Sequence, residues 1–585
     1  MKPISAQKIL PFLAWFPKYN IQTLRDDALA GLTVGVVLIP QSMAYAMIAG
    51  LPPVFGLYSA TVCTIIAALW GSLRQLSTGP VAITSLLVMT SLSSLSTPGT
   101  EEYISLACSL ALLVGLFYLL LGFLRLGILM NFISHSSVKG FTAAAAIIIA
   151  TTQLPHVLGV SVDQQDNALG MLMALAGELP QVNLATLGTG LAVYITIHLL
   201  RRFSPRLPAG LAGLFIGAVG VAIFGLEKQG VATIDAISGG LPSFMPPSLN
   251  LQSLATLAGS AVVIGLVSFA ETYSVSKAIS AQTKQKPDVD QELIGQGLAN
   301  LVGSFLQCFP ASGSFSRTAL NYSSGARTGM ASMFSSGTVV ITLVALTPLL
   351  SFIPRAALAA LVINAVIVLF RPRDLFSLYR KSRHDGIVAF TVFTMGLLIK
   401  PDYALLLGII LSLMFYLWKT MHPRIIRVTR DESLGIFLEA DRQGKPNCPQ
   451  ILLLQINSEI YFGNAEHVVN RIMERVPLQS TPLKYLILDF QSVTCIDITG
   501  IDELQGLLCE LRGHRINTAF LNLNDEVQNQ FSSSGLNAEL DPDLIFTGKG
   551  SAIKTLFARL DHEYCRTVCP LSLFNECKSV KMPSA

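Results

Sequence analysis

The sequence predicts an α-helical polytopic membrane protein. Fourteen spans are arranged as two inverted seven-span repeats, followed by a C-terminal α/β domain on the cytoplasmic side. Three observations carry that prediction. First, the 585-residue chain is 51% apolar and only 13% charged, where a soluble globular chain carries about 25% charge. Second, apolar runs follow one another almost without pause to about residue 420, after which charge becomes frequent. Third, two stretches some 230 residues apart echo each other. A mean hydropathy of +0.57 agrees with the first observation. The net charge of +4 is too small to suggest nucleic acid, and the nine scattered cysteines form no disulfide framework.

Residues 1–25 read as a mildly basic, amphipathic lead-in with Lys2, Lys8, Lys18 and Arg25 beside Trp15, Phe16 and Tyr19, suited to a cytoplasmic membrane surface. The transport domain is expected over 26–420. Its apolar segments are 29–49, 54–71, 78–95, 104–124, 137–158, 183–200, 207–226, 254–275, 290–308, 314–324, 328–352, 355–370, 385–400 and 402–420. Several fall short of the roughly 20 residues of a straight span. With the N-terminus inside, cations such as Arg74, Arg125, Lys139, Arg201, Lys277, Arg327, Arg371 and Arg380 fall in cytoplasmic loops. Only Lys228, Arg355 and Lys400 fall outside. That asymmetry requires an even number of spans.

Beyond the last span, 421–445 reads as a linker, 446–565 as the α/β domain and 566–585 as a flexible tail. Short strands are expected at 451–456, 485–490 and 519–523, with helices near 464–476, 500–514 and 525–535. Fifteen acidic and ten basic side chains lie between Asp441 and Asp561, as suits a domain that folds in water.

The echo sharpens the membrane half. In VGVVLIPQSMAYA (34–46) and IGLVSFAETYSVS (264–276), Gly35 matches Gly265 and Gln41 matches Glu271. In STGPVAITSLL (77–87) and ASGSFSRTALN (311–321), Gly79 matches Gly313 and Thr84 matches Thr318. Seven spans per half give the halves opposite topology, a transporter architecture with its site at the repeat interface. The weak segments 78–95 and 314–324 follow chain-breaking Gly, Pro and Ser residues, so each reads as a half-helix beginning at midplane. Irregular backbone is tolerated there only where protein buries it or a cavity meets it. Two facing helix N-termini make an anion site.

Four side chains stand out. Arg317, in the first turn of the second half-helix, is disfavoured by the helix dipole. It reads as fixed positive charge for an anion, or as one member of a structural ion pair. Glu271 is the carboxylate in the middle of an apolar span. It reads as a coupling site for H⁺ or Na⁺, or as a structural partner of Arg317. Gln41 and Tyr45 share a helix face and offer polar tips to a substrate or to a neighbouring helix. Gly210, Gly213 and Gly217 read as close helix packing. The chain carries no phosphate-binding GxxxxGK[ST], no HExxH and no hydrolase elbow, so neither an ATP-driven pump nor an enzyme is expected. No cofactor is implied, and metal binding by Cys565, Cys569 and Cys577 is not expected.

Several runs resemble the sulfate permease (SulP) family over nearly the whole chain. They are AGLTVGVVLIPQSMAYAMIAGLPPVFGLYSA (30–60), ETYSVSKAIS (271–280), QELIGQGLANLVGSF (291–305) and FPASGSFSRTALNYSSGARTG (309–329). LILDFQSVTCIDITGIDEL (486–504) resembles the centre of a STAS domain. The resemblance implies a uracil-permease-like fold, a core of spans 1–4 and 8–11, a gate of spans 5–7 and 12–14, an elevator-like step and a homodimer. Carried over by motif, the substrate site involves Gln41, Tyr45, Val81, Ala82, Phe315, Ser316 and Arg317, with Glu271 for the coupling ion. The STAS loop reads Asp497-Ile498-Thr499-Gly500. Its Ile498 departs from the D-S-[ST]-G pattern of phosphorylated relatives, so a docking role for a cytosolic partner is expected instead. The SFSRTA run (314–319) leans the substrate towards sulfate. An uncoupled exchanger or channel-like conductor, a bicarbonate or dicarboxylate transporter, and a membrane-bound regulator stay open at this point.

Overall fold

A computed structural model describes residues 10–128, 134–162, 165, 167–203, 208–234, 240–248, 250–399, 401–432, 434–477 and 483–581. Lys2, Lys8, Arg206 and Lys400 lie outside the described residues. The chain divides into two compact units, Met1–Leu413 and Met414–Ala585.

The first repeat runs through helices α1 (Ile21–Ile48), α2 (Pro53–Trp70), the two-residue strand β1 (Thr78–Gly79), α3 (Ala82–Leu92), α4 (Glu101–Phe123), α5 (His135–Leu158), α6 (Ala168–Glu178), α7 (Leu184–Phe203) and α8 (Ala209–Phe224). The second runs through α9 (Leu251–Thr283), α10 (Val289–Ser304), β2 (Ser312–Gly313), α11 (Phe315–Ser323), α12 (Met330–Ile341, continued by a π turn, Thr342–Leu346, and a last α turn, Thr347–Leu350), α13 (Arg355–Val366), α14 (Pro372–Lys381), α15 (Arg383–Leu398) and α16 (Pro401–Met421). With α6 and α14 set aside, each half holds seven spans, and β1–α3 and β2–α11 are the broken third span of each. Helices α6 and α14 sit at equivalent places, after the fifth span of each repeat. The sequence reading passed over both, because short helices carry no long apolar run.

The lead-in differs from expectation. Residues 11–18 form two 3₁₀ turns, Trp15 is buried, and Phe12 packs edge-on against Trp70 at 6.4 Å. The segment therefore lies against protein. Asn20 accepts from the Thr23 backbone N–H at 2.8 Å and starts α1 eight residues before the apolar run. Helix α9, with 33 residues, is about 50 Å long and outruns a bilayer core of about 30 Å.

Packing sorts the spans into two groups. Helices α4 and α10, α1 and α12, and α2 and α10 pack on one another; so do α5 and α15, α5 and α13, and α7 and α8. Glycine lets backbones close up where it counts. A Cβ at Gly213 would stand 2.6 Å from Ile197, and one at Gly217 would stand 2.8 Å from Val193, as the small-residue spacing implied.

The second unit holds a six-stranded sheet in the order β4-β3-β5-β6-β7-β8. Its strands are β3 (Ile425–Arg430), β4 (Phe437–Glu439), β5 (Ile451–Ile456), β6 (Tyr485–Asp489), β7 (Asn517–Leu521) and β8 (Ile545–Phe546). Strands β5 to β8 are parallel, with Leu453 opposite Ile487 and Ile487 opposite Ala519; β3 and β4 are antiparallel. The period of two divides each strand between two cores. Leu452, Leu454, Leu486, Leu488 and Phe520 face α17 (Ala465–Arg475), α18 (Ile498–Gly513) and α19 (Asp525–Ser533). Ile451, Leu453, Ile487, Ala519 and Leu521 face α20 (Lys549–Phe557) and a C-terminal pair, α21 (His562–Thr567) and α22 (Asn575–Lys581).

Two boundaries are corrected. The expected linker 421–445 supplies β3 and β4, and Ile425 and Val428 are buried. The expected flexible tail 566–585 carries α22 and buries Leu573, Phe574 and Cys577. Neither segment has a run long enough to show in a hydropathy reading, and each is fixed by the apolar face it covers.

Candidate functional site

The two chain breaks meet. Thr78 pairs with Gly313 and Gly79 with Ser312 in an antiparallel bridge, extended by the Ser314 N–H donating to the Ser77 carbonyl at 2.9 Å. Backbone released from helices must still be satisfied, and polar side chains of the surrounding helices do so. Thr64 Oγ1 donates to the Thr78 carbonyl at 2.7 Å, and Thr272 Oγ1 accepts from the Gly313 N–H at 3.0 Å. Asn300 clamps Ala311, accepting from its N–H at 2.8 Å and donating to its carbonyl at 3.1 Å. A Cβ at Gly313 would stand 3.0 Å from both Leu76 and Thr272, so glycine is what lets the ribbon fit.

From this ribbon α3 and α11 start beside one cavity of about 440 Å³. Seven of the eight residues singled out from sequence line it: Gln41 and Tyr45 on α1, Val81 and Ala82 at the start of α3, Glu271 on α9, and Phe315 and Ser316 at the start of α11. Pro40 has no N–H for the usual bond one turn back, which loosens α1 just before Gln41. Val81 caps α3 without a side-chain bond, so the first-turn N–H groups of α3 keep their partial positive charge for the cavity. The Phe315 ring is 56% exposed, an apolar surface at the mouth of a polar site.

Arg317 is the exception among the eight. It is not among the lining residues. Its side chain turns back from α11 into the ribbon and is 1% exposed. Nη1 donates to the Pro80 carbonyl at 2.9 Å and Nε to Ser77 Oγ at 3.4 Å, while Nη2 has no hydrogen-bond partner. The guanidinium thus joins the two half-helices from behind and lends its charge through the ribbon. Among the described residues no ion pair links it to Glu271, so the structural pairing considered from sequence does not form. Glu271 Oε2 and Gln41 Oε1 are both buried and accept no hydrogen bond. Both residues line the cavity, and buried acceptor oxygens left without a donor are rare in folded proteins.

Sequence reasoning missed the facing wall. Lys139, Thr142 and Ala143 of α5, Arg201 of α7, Val366 of α13, and Asp374 and Leu375 of α14 complete the cavity, with Arg371 just before α14. Lys139 and Asp374 stand 3.9 Å apart. These cations were visible only as contributors to charge asymmetry. Their position at span ends was the available signal.

In the second unit Asp497 caps α18, accepting from the Gly500 N–H at 2.7 Å and from the Phe462 N–H at 2.8 Å. Ile498 and Phe462 are both largely exposed beside Thr499. Of the cysteines considered, Cys565 accepts from Gln450 Nε2 at 3.2 Å and Cys577 belongs to the core. Burial raises the Cys565 thiol above its ordinary pKa.

The sequence signature described as the Sulfate permease family matches residues 24–392, and that of the STAS domain matches 440–552. The chain is 31% identical over 547 residues to "Sulfate transporter 4.1, chloroplastic" of Arabidopsis thaliana, covering 90% of this chain and 79% of that one. It is 30% identical over 557 residues to "Probable sulfate transporter MT1781" of Mycobacterium tuberculosis (strain CDC 1551 / Oshkosh), covering 94% and 98%. Among solved structures, the murine Slc26a9 anion transporter in the inward-facing state superposes with a TM-score of 0.87 at 23% identity over 96% of each chain. The transmembrane domain of the cyanobacterium bicarbonate transporter BicA superposes with a TM-score of 0.59 at 21% identity, over 67% of this chain and 98% of that one. At such identities the structures speak for the fold.

Proposed function

The chain belongs to the sulfate permease family, a family of transporters and not enzymes, and from that premise we propose that it carries sulfate into the cell as a proton symporter. The observation that carries the reading is the meeting of two half-helix starts at one cavity that also holds two donor-free acceptor oxygens, Gln41 Oε1 and Glu271 Oε2.

The anion sits between the starts of α3 and α11. The N–H groups at Val81, Ala82 and Phe315, the Ser316 hydroxyl and the polar tips of Gln41 and Tyr45 surround it. Arg317 supplies fixed positive charge from behind the ribbon. An ionised Glu271 beside an oxyanion is repulsive. A proton on Glu271 removes the repulsion, so anion and proton bind with positive coupling, and each raises the affinity for the other. Sodium is the second candidate for the same place. Movement is elevator-like: the group holding α1–α4 and α9–α12 carries the site past the group holding α5, α7, α8, α13, α15 and α16. The N-terminus and the STAS domain lie on the cytoplasmic side, the chain works as a homodimer, and the exposed Phe462 and Ile498 offer a cytosolic partner a place to dock.

The test is uptake into proteoliposomes with labelled sulfate, bicarbonate, chloride and dicarboxylates, with and without an inward proton or sodium gradient. Saturable sulfate uptake driven by the proton gradient is expected. Uptake indifferent to both gradients would establish uncoupled exchange or conduction, and preference for bicarbonate would move the substrate.

A further inference from the structure

Helix α14 has the sequence PRDLFSLYRK, and its two faces differ. Leu375 and Leu378 pack on Ala143 of α5 and on Ala389, Phe390 and Phe393 of α15. The opposite stripe carries Arg373 and Arg380 at a seven-residue spacing, joined by Lys381 and, one residue past Ser382, by Arg383. All four are exposed, and among the described residues none of them pairs with a carboxylate. Phe376 and Tyr379 flank the stripe, 60% and 47% exposed, and both meet the Phe390 ring edge-on at 5.5 and 6.4 Å. Basic residues on one stripe with exposed aromatics beside them are the composition of a helix lying in the headgroup layer.

The topology holds it there. α13 ends at Val366 and α15 begins at Arg383, and both are membrane spans. A ten-residue helix about 15 Å long, tethered at both ends to the bilayer, cannot reach far from its surface. A soluble partner would have to reach these cations between headgroups, whereas lipid phosphates already lie at that depth.

We propose that the outer face of α14 binds anionic phospholipid headgroups, and that this binding sets how readily the substrate cavity opens. The link is direct: Asp374 and Leu375 on the same helix, and Arg371 one residue before it, line the cavity, and Asp374 holds Lys139 of the facing wall at 3.9 Å. A headgroup that fixes the outer stripe fixes the inner wall. The inference rests on the transport reading above, and its test separates the two.

The full-length chain is reconstituted in phosphatidylcholine alone and in phosphatidylcholine with phosphatidylglycerol. The same vesicles are made with a triple variant, Arg373→Gln, Arg380→Gln and Lys381→Gln, none of which lines the cavity. Each cation near an anionic surface is worth about five-fold in binding. Native mass spectrometry should therefore show the variant retaining phosphatidylglycerol at least about ten-fold more weakly than wild type. Wild-type sulfate uptake should depend on phosphatidylglycerol, and the variant's should not. A charge-keeping variant, Arg373→Lys with Arg380→Lys, should behave as wild type. Equal lipid retention by wild type and triple variant overturns the proposal, as does equal dependence of their uptake on phosphatidylglycerol. Soluble glycerol 3-phosphate reproducing the effect would make the site one for free phosphate esters and overturns it too. Should no labelled anion enter under any lipid, the transport reading fails, and the retention measurement still decides this one.

Discussion

Helices α3 and α11 hold the same place in the two repeats, yet they begin by different chemistry. α3 starts at Val81 with no side-chain cap and offers bare N–H groups to the cavity. α11 starts behind Ser314, whose hydroxyl meets the Arg317 N–H at 3.4 Å, and carries a guanidinium in its first turn. That guanidinium reaches across to the Pro80 carbonyl just ahead of α3. The repeat duplicated the backbone break, while the charge stands on one side only. One repeat therefore supplies the dipole alone, and the other supplies the dipole and the fixed charge that serves both.

The contrast can be broken most sharply at Arg317. Arg317→Ala leaves the Pro80 carbonyl unpaired and removes the shared charge. At an effective dielectric of about 20, a unit charge roughly 8 Å away is worth about 2 kcal/mol, so sulfate binding to purified protein should weaken by about ten-fold or more. Arg317→Lys should recover part of this, since an ammonium cannot span both half-helices as the planar fork does. Unchanged affinity in Arg317→Ala would mean that helix dipoles alone hold the anion.

The uncapped side is tested by Ala82→Asp. A carboxylate in the first turn of α3 suits the helix but occupies its positive end. Sulfate affinity should fall by about ten-fold, as expected for a like charge placed at a weakly screened site. Retained affinity would assign the anion to α11 alone.

Glu271→Gln removes a titrating group and keeps the shape. Anion binding and exchange should stay within about three-fold of wild type, the scale of a neutral hydrogen-bond change. Accumulation under an inward proton gradient should disappear, read as loss of the pH-dependent component of uptake. A variant that still concentrates sulfate under the gradient would place the coupling elsewhere.

The smallest effect comes from a cation arrangement opposite to that of Arg317. In the STAS domain Asp441 joins Arg427 and Arg475 at a partly exposed surface. Its burial works against the charged form, but the hydrogen bonds and charges of the two arginines win and hold its pKa below the ordinary value. Stability from this group is present above about pH 4, the unfolded carboxylate value, and is lost as pH falls through the lower folded value. Asp441→Asn should therefore lower the melting temperature at neutral pH slightly, the stability lost being no more than the roughly 1 kcal/mol of a surface pair. The gap from wild type should close on acidification. A gap independent of pH would show that the arginines need only a hydrogen-bond acceptor.

The sequence by itself determined the spans, their even number, the two breaks, and three of the six strands and the first three helices of the STAS domain. Those features are written in one dimension: long apolar runs, Gly-Pro and Ser-Gly interruptions, and alternating strands. It also named seven residues that do line the cavity, because a residue at the start of a half-helix or on a polar face of an apolar span has few other places to go. Only the tertiary structure decided where Arg317 points. A long side chain in the first turn of a nine-residue helix has several directions open to it, and the unpaired carbonyl of Pro80 selects one. The facing wall of Lys139, Arg201, Arg371 and Asp374 likewise needed three dimensions, since charged side chains near span ends come to line a cavity only when other helices pack opposite them. Strands β3 and β4 and the C-terminal helices were hidden for the same reason. Short segments of mixed polarity are held by the apolar surface they cover, and that surface belongs to residues far away in the chain.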